Sequence, residues 1–268
     1  MILLFADKIL RFFKRRMDSK SDIIPAEMSL ADSDVAARYT ADELERLLNA
    51  GALKRIGMGS RRTCYRLPDG KLCLKCYRSD TEIAEGKYPG VSPAVPLAAA
   101  VVREIHRYRF NERRNTCCQE YRYWLSLKKR LPSKLMSAFP TTIEQICIPN
   151  YGWALVEELV VNADTTPVRK FAEEWQFADG QTKTMLLASY NALADALASH
   201  AVRFYDPPNV LAQRLADGSF RLRITDFEPA SRLFFPIDAI PAVARLKIRR
   251  RFARHLRNWG LSPEEAVA

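Results

Sequence analysis

Two glycines separated by one residue, Gly57-Met58-Gly59, lie between apolar-patterned runs and precede Leu72-Cys73-Leu74-Lys75 on the next such run. No other stretch limits the possible folds as much. A glycine turn between two strands lets backbone N–H groups come close to a phosphate, and a lysine on the following strand reaches the same phosphate as a point charge. Alternation along a strand puts Cys73 and Lys75 on one face and Leu72 and Leu74 on the other. A small side chain two residues before the lysine leaves room on that face for a flat base. Taken alone, Gly-x-Gly is also a common hairpin turn, and Lys75 then stands on the surface of an edge hairpin.

The 268 residues suffice for one two-lobed domain or two small ones, with ample apolar side chains for a core. The formal charge of +11 is unevenly placed. Residues 103–134 hold ten Lys/Arg against three acids, and residues 245–257 hold seven with no acid. Such blocks attract nucleic acid, anionic lipid or phosphorylated ligands, or simply form solvated helix faces. The six cysteines are scattered and no secretory signal precedes them, which fits a reducing cytoplasm. Cys73-x-x-Cys76 has the spacing of half a zinc site, but three residues along a strand send the two sulfurs to opposite faces. His106, His200 and His255 have no metal-ligand spacing and read as surface or packing residues.

No apolar run is long enough to span a bilayer. Near the N-terminus, Ile2, Phe5, Ile9, Phe12 and Phe13 recur at helical spacing beside Lys8, Arg11, Lys14, Arg15 and Arg16. The pattern suits an amphipathic helix lying in a membrane interface or docked on the protein itself.

Residues 17–40 are polar and read as a linker, followed by a short capped helix from Thr40 to Leu48. Strands are expected near 52–58, 62–67 and 71–77, with Pro68-Asp69-Gly70 turning the second hairpin. Residues 79–100 read as a loop or insertion, and helix follows over 101–131 with a break near 111–115. In its second part Tyr121, Trp124 and Leu125 form the expected apolar stripe. Strands near 145–149 and 152–160, helices near 167–178 and 181–200, a hairpin at 208–215 and 219–225, and a basic helix at 240–258 complete the reading. Strands first and helices later indicate an α+β fold.

The order of these parts resembles the protein-kinase-like fold, with a small β-rich N-lobe and a mainly helical C-lobe. Within it the chain resembles the YrbL family of PhoP-regulatory-network proteins, which are bacterial and kinase-like. The resemblance rests on Gly57-x-Gly59-x-x-Arg62-x-Cys64-Tyr65, Cys73-Leu74-Lys75 and Glu120. It continues through Pro207-Pro208-Asn209-Val210-Leu211 and Asp226, covering about residues 52–257. It implies an N-lobe over 41–161 and a C-lobe over 162–268, after an N-terminal helix and linker at 1–40.

The resemblance implies an ATP- and magnesium-binding protein. Gly57 and Gly59 would cover the nucleotide phosphates. Arg62, where kinases often carry a third glycine, would either add a phosphate contact or lie on the surface. Cys73 would line the base pocket. Lys75 would pair with Glu120 and touch the α- and β-phosphates. Glu157, Glu158 and Leu159 would form the hinge that meets adenine, and Asn209 and Asp226 would hold the metal.

Departures from the family pattern are equally informative. The position of the usual catalytic Asp, five before the metal Asn, is Phe204. Asp206 is the nearby carboxylate, and Asp226-Phe227-Glu228-Pro229 replaces Asp-Phe-Gly. The expectations are therefore a phosphotransferase acting on a cell-envelope or other small anionic acceptor, with Lys75 and Asp206 as its catalytic residues, or a catalytically silent binding module that reports nucleotide state or docks a protein regulator. A nucleic-acid binder using 245–257 is a weaker third reading, since no finger, helix-turn-helix or aromatic platform accompanies the charge. Charge placement also suggests a peripheral position at an anionic inner-membrane surface, close to a phosphorylated glycolipid.

Overall fold

The computed structural model describes residues 39–84, 99–227 and 240–258. The expected N-terminal amphipathic helix, most of the linker, residues 85–98 and the Glu228-Pro229 pair lie outside the described residues. Within them the fold is α+β, with eight helices and two antiparallel sheets.

Helix α1 (Ala41–Asn49) starts where the Thr40 hydroxyl accepts the Glu43 N–H at 3.2 Å. Strands β1 (Lys54–Met58), β2 (Arg62–Arg66), β3 (Leu72–Tyr77), β4 (Thr142–Ile148) and β5 (Gly152–Glu158) form one sheet in the order β1-β2-β3-β5-β4. Strand β3 is central and every residue in it is buried, so Lys75 is not a surface lysine on an edge hairpin. Leu72, Leu74 and Cys76 face an apolar cluster under the sheet with Leu44, Ile148 and Val156. Cys73 and Lys75 face the opposite way, into a cavity.

The stretch after β3 differs from expectation. Residues Asp80–Ala84 form a helical turn, α2, rather than loop. Ser79 and Glu82 exchange hydrogen bonds, Ser79 N–H to Glu82 Oε2 at 2.9 Å and Glu82 N–H to Ser79 Oγ at 3.2 Å. That reciprocal pair is a capping box.

Helices α3 (Ala99–Tyr108) and α4 (Thr116–Arg130) flank the expected break. Buried Asn115 sets where α4 begins. Its Oδ1 accepts the Cys117 N–H at 2.8 Å, and its Nδ2 donates to Arg109 O at 2.9 Å and Trp153 O at 3.2 Å. Gly152, at φ +77°, lies so close to this crossing that a Cβ would come within 2.3 Å of Arg109 O. Here glycine is required. The buried face of α4 runs through Cys117, Glu120, Tyr123, Trp124 and Leu127, while Tyr121 and Leu125 are only half-buried. The face was shifted because a buried glutamate belongs to it.

After the short α5 (Ser133–Met136), the second apolar cluster gathers α6 (Phe171–Phe177), α7 (Gly180–Ser199) and α8 (Pro241–Arg257) around Tyr190, Phe139 and Phe252. Helix α7 buries Leu186, Tyr190, Leu193 and Leu197, with Met185 half-buried. The helix expected from 167 starts at Phe171, because Arg169–Lys170 is a short strand, β6, paired to Ala212 and Leu211. Strands β7 (Val210–Arg214) and β8 (Phe220–Ile224) form the hairpin that completes this second sheet, β6-β7-β8. Among the described residues no helix is long and apolar enough to cross a membrane.

Candidate functional site

A cavity of about 1100 Å³ separates the face of the five-stranded sheet from the β7–β8 hairpin and α8. Its sheet side presents Gly57, Gly59, Arg62, Cys73 and Lys75, and its edge presents Glu158 and Leu159. Asp206, Asn209 and Asp226 line the far side. Glu120 lies behind the wall, fully buried on α4. The candidate residues therefore come together in one place.

At the centre is a five-member ion cluster. Lys75 Nζ stands 3.0 Å from Glu120 Oε1, 2.9 Å from Glu157 Oε1 and 3.4 Å from Asp226 Oδ1. Arg62 Nη1 donates to Glu120 Oε2 at 2.6 Å and its Nη2 to Asp226 Oδ1 at 2.5 Å. Only 11 % of the Arg62 side chain is exposed, so the surface reading of this arginine is overturned. Strand pairing explains it. Cys64 opposes Lys75 and Arg62 opposes Tyr77, which puts Arg62 on the cavity face. Glu157 is brought in the same way, opposite Cys73 on β5.

Three carboxylates against two cations leave the cluster with one net negative charge. Burial alone would lower the Lys75 pKa, but Glu120, Glu157 and Asp226 raise it well above the ordinary value. Burial raises the Glu157 carboxyl, and Lys75 offsets that only in part. For Asp226, burial pushes upward, yet the Arg62 and Lys75 charges prevail and lower it to about 2. With 43 % of its side chain open to the cavity, Asp226 keeps a solvated edge while held by two cations.

Asp226 has φ +54°, a left-handed conformation uncommon for a side-chain-bearing residue. Its neighbours fix it there. Phe227 is fully buried with its ring edge-on to Phe139 at 5.2 Å, and the Thr225 N–H donates to Asn209 O at 2.9 Å. That last bond ties the two ends of the hairpin, so Asn209 and Asp226 lie side by side despite their separation in sequence. Asn209 Nδ2 donates to Asp206 Oδ2 at 2.8 Å. Partial burial in the cavity, then the Asp226 charge, raise the Asp206 carboxyl, although its side chain still reaches solvent. Phe204 is a buried core residue and offers no proton acceptor.

The glycine turn is tighter than a loop open to ligand. Gly59 N–H donates to Arg62 O at 2.7 Å, so that donor is already used. Buried Arg78, unremarked in the sequence, clamps the turn by donating from Nε and Nη2 to Gly59 O at 3.0 and 2.7 Å. Neither Gly57 nor Gly59 takes a left-handed φ, and an added Cβ would meet nothing nearer than 3.8 and 3.6 Å. The fold itself does not need glycine at either position.

At the cavity edge, Glu158 N–H donates to Thr141 O and Leu159 N–H to Lys71 O, both at 2.8 Å. The Glu158 carboxylate pairs with Arg223 at 2.7 Å. Neither of these N–H groups is open to a ligand. Val160 lines the same edge, and among the described residues its N–H has no hydrogen-bond partner. Sequence reasoning also missed Lys170, Lys247 and Arg251, which line the cavity from β6 and α8. Only long-range packing brings them there.

Asn209, Asp206 and Asp226 offer hard oxygen donors alone. Among the described residues, no group of three or more His, Cys, Asp or Glu side chains could hold a metal by itself. No family model matches the chain, and no curated protein matches it.

Proposed function

We propose that this chain is a two-lobed, kinase-like protein related to the YrbL family, which binds ATP with magnesium and transfers phosphate to a small anionic acceptor. The observation that carries the reading is the contact of Lys75 with Glu120 at 3.0 Å and Asp226 at 3.4 Å. A strand lysine, a helix glutamate and a metal-binding aspartate from separate elements are the parts that position phosphates in kinases. Electrostatics support it too. A buried floor with net negative charge repels a bare triphosphate, and a divalent cation reverses that sign.

Asn209 and Asp226 would hold magnesium, with phosphate oxygens filling the rest of its shell. The bound ion would neutralise charge developing on the phosphates. Gly57 and Gly59 would admit the phosphates where any side chain would intrude. Cys73 and the Val160 N–H, one residue beyond the Glu158–Leu159 pair, would face the base. Asp206 Oδ2 is taken by Asn209, which leaves Oδ1 to accept the proton of an acceptor hydroxyl. Its raised pKa makes it a better proton acceptor than an ordinary carboxylate.

A second reading, a catalytically silent module of the regulatory-network type, draws support from the buried phenyl ring of Phe204 at the usual base position. ATP consumption with cell-envelope extract separates the two. The enzyme reading expects turnover that falls at least tenfold in Asp206→Ala. Equal rates in parent and variant favour the silent module. The exposed arginines of α8, Arg249, Arg250 and Arg254, also suit a cytoplasmic protein peripheral to an anionic membrane surface.

A further inference from the structure

The cavity is larger than the roughly 300–1,000 Å³ typical of a single small-ligand site. Its charge is also divided by position. The ion cluster around Lys75 lies against the cavity face of the sheet, whereas Lys170 from β6 and Lys247 and Arg251 from α8 line the cavity on the side of Tyr205 and Asp206. Of the seven basic residues on α8, only Lys247 and Arg251 line the cavity, one helical turn apart and adjoining the buried Ala244–Ile248–Phe252 face. Arg249 instead approaches Asp195, and Arg245 donates to Ser199 O, both away from it.

Lys247 Nζ lies 4.1 Å from the centroid of the Tyr205 ring, which fixes its stem over the cavity wall. Among the described residues the Arg251 guanidinium and the Lys170 ammonium have no ion-pair partner, and both charges act on the Asp206 carboxylate. Three cations lining one wall near a single carboxylate, two of them outside any ion pair, mark a place for a second anion.

We propose that Lys170, Lys247 and Arg251 form a subsite for a phosphomonoester, whose neighbouring hydroxyl is presented to Asp206. The subsite rests on the phosphotransferase reading for its purpose but not for its binding. Arg251 supplies a planar fork for two phosphate oxygens, and the two lysines supply point charges. A phosphomonoester reaches such a site either as a soluble sugar phosphate or as a lipid headgroup.

Calorimetric titration without nucleotide tests the proposal, using glucose 6-phosphate, glucose, and vesicles containing phosphatidic acid or phosphatidylglycerol. Glucose 6-phosphate or phosphatidic acid is expected to bind, with glucose and phosphatidylglycerol at least tenfold weaker. Arg251→Gln and Lys170→Gln should each weaken binding by about tenfold, as loss of a charge-assisted contact does. Arg245→Gln, on the outer face of the same helix, should leave it unchanged. Preference for the sugar phosphate identifies a soluble ligand, and preference for phosphatidic acid a lipid one. Asp226→Asn should abolish stabilisation by ATP and magnesium while retaining this binding, so the two readings fail separately. Absence of binding by both phosphomonoesters, or equal affinity in parent, Arg251→Gln and Lys170→Gln, would overturn the subsite.

Discussion

Lys75 is enclosed by Glu120, Glu157 and Asp226 on a strand with no exposed residue. Replacing it with Ala leaves buried Glu157 without a cation and Glu120 with Arg62 alone, a change that costs about 3–5 kcal/mol. Urea unfolding of Lys75→Ala is expected to show that loss. Asp226→Asn is milder, because it balances two cations against two carboxylates and retains an oxygen toward Arg62. Its effect depends on pH. The Asp226 carboxyl is lowered to about 2 in the folded protein, against about 3.9 when unfolded. Its contribution is thus complete above the unfolded value and is lost as pH falls through the folded one. The stability difference between parent and Asp226→Asn should shrink between pH 5 and pH 2, and a constant difference would contradict the pairing. Asp206 shifts the other way, so a rate profile governed by it should have its acidic limb higher than an ordinary Asp would give. Lys75 and Glu120 were legible because strand alternation and the order of parts both point to them. The inward turn of Arg62 was encoded as well. The Pro68-Asp69-Gly70 turn sets the β2–β3 register, and that register puts residues 62, 64, 73 and 75 on one face.

At the level of elements, two devices hold the cluster in shape. Asn115 caps α4 and pins it to β5, so the helix delivers Glu120 against Lys75. Asn115→Ala is expected to cost about 1–2 kcal/mol through the lost cap alone, and more through its two carbonyl contacts. Arg78 grips the glycine turn from behind. Because neither glycine is demanded by the surrounding chain, Gly57→Ala and Gly59→Ala should alter apo stability by less than about 1 kcal/mol. Both should nevertheless weaken nucleotide binding measurably by calorimetry, and unchanged affinity would remove the turn from the site. The strands and long helices were readable from period-2 and period-3.6 patterning. The capping box at Ser79 and Glu82 was readable too, but its helix is only five residues long and carries no periodicity. The short β6 strand was not, since two residues contain no pattern and only their pairing to β7 defines them.

At the scale of the molecule, the basic side chains of the described residues take distinct placements. Lys54 and Arg66 stand exposed along the sheet side of the cavity, Lys170, Lys247 and Arg251 line the other side, and a net-negative cluster lies between. A basic rim attracts an anion, and under the proposed function the acidic cluster would require a cation with it. Sequence could show the charge blocks but not that two residues of α8 turn into the cavity, because that depends on how α8 packs against α7. Under the proposed function, Lys75 and Asp226 serve one magnesium–nucleotide site. The direct measurement is the melting temperature of parent and Asp226→Asn with ATP, with magnesium, and with both. A ligand that binds only the folded state must raise it. A shared site predicts a rise for the parent that needs both together and vanishes in Asp226→Asn. An equal rise in the two proteins, or none in the parent, would contradict it.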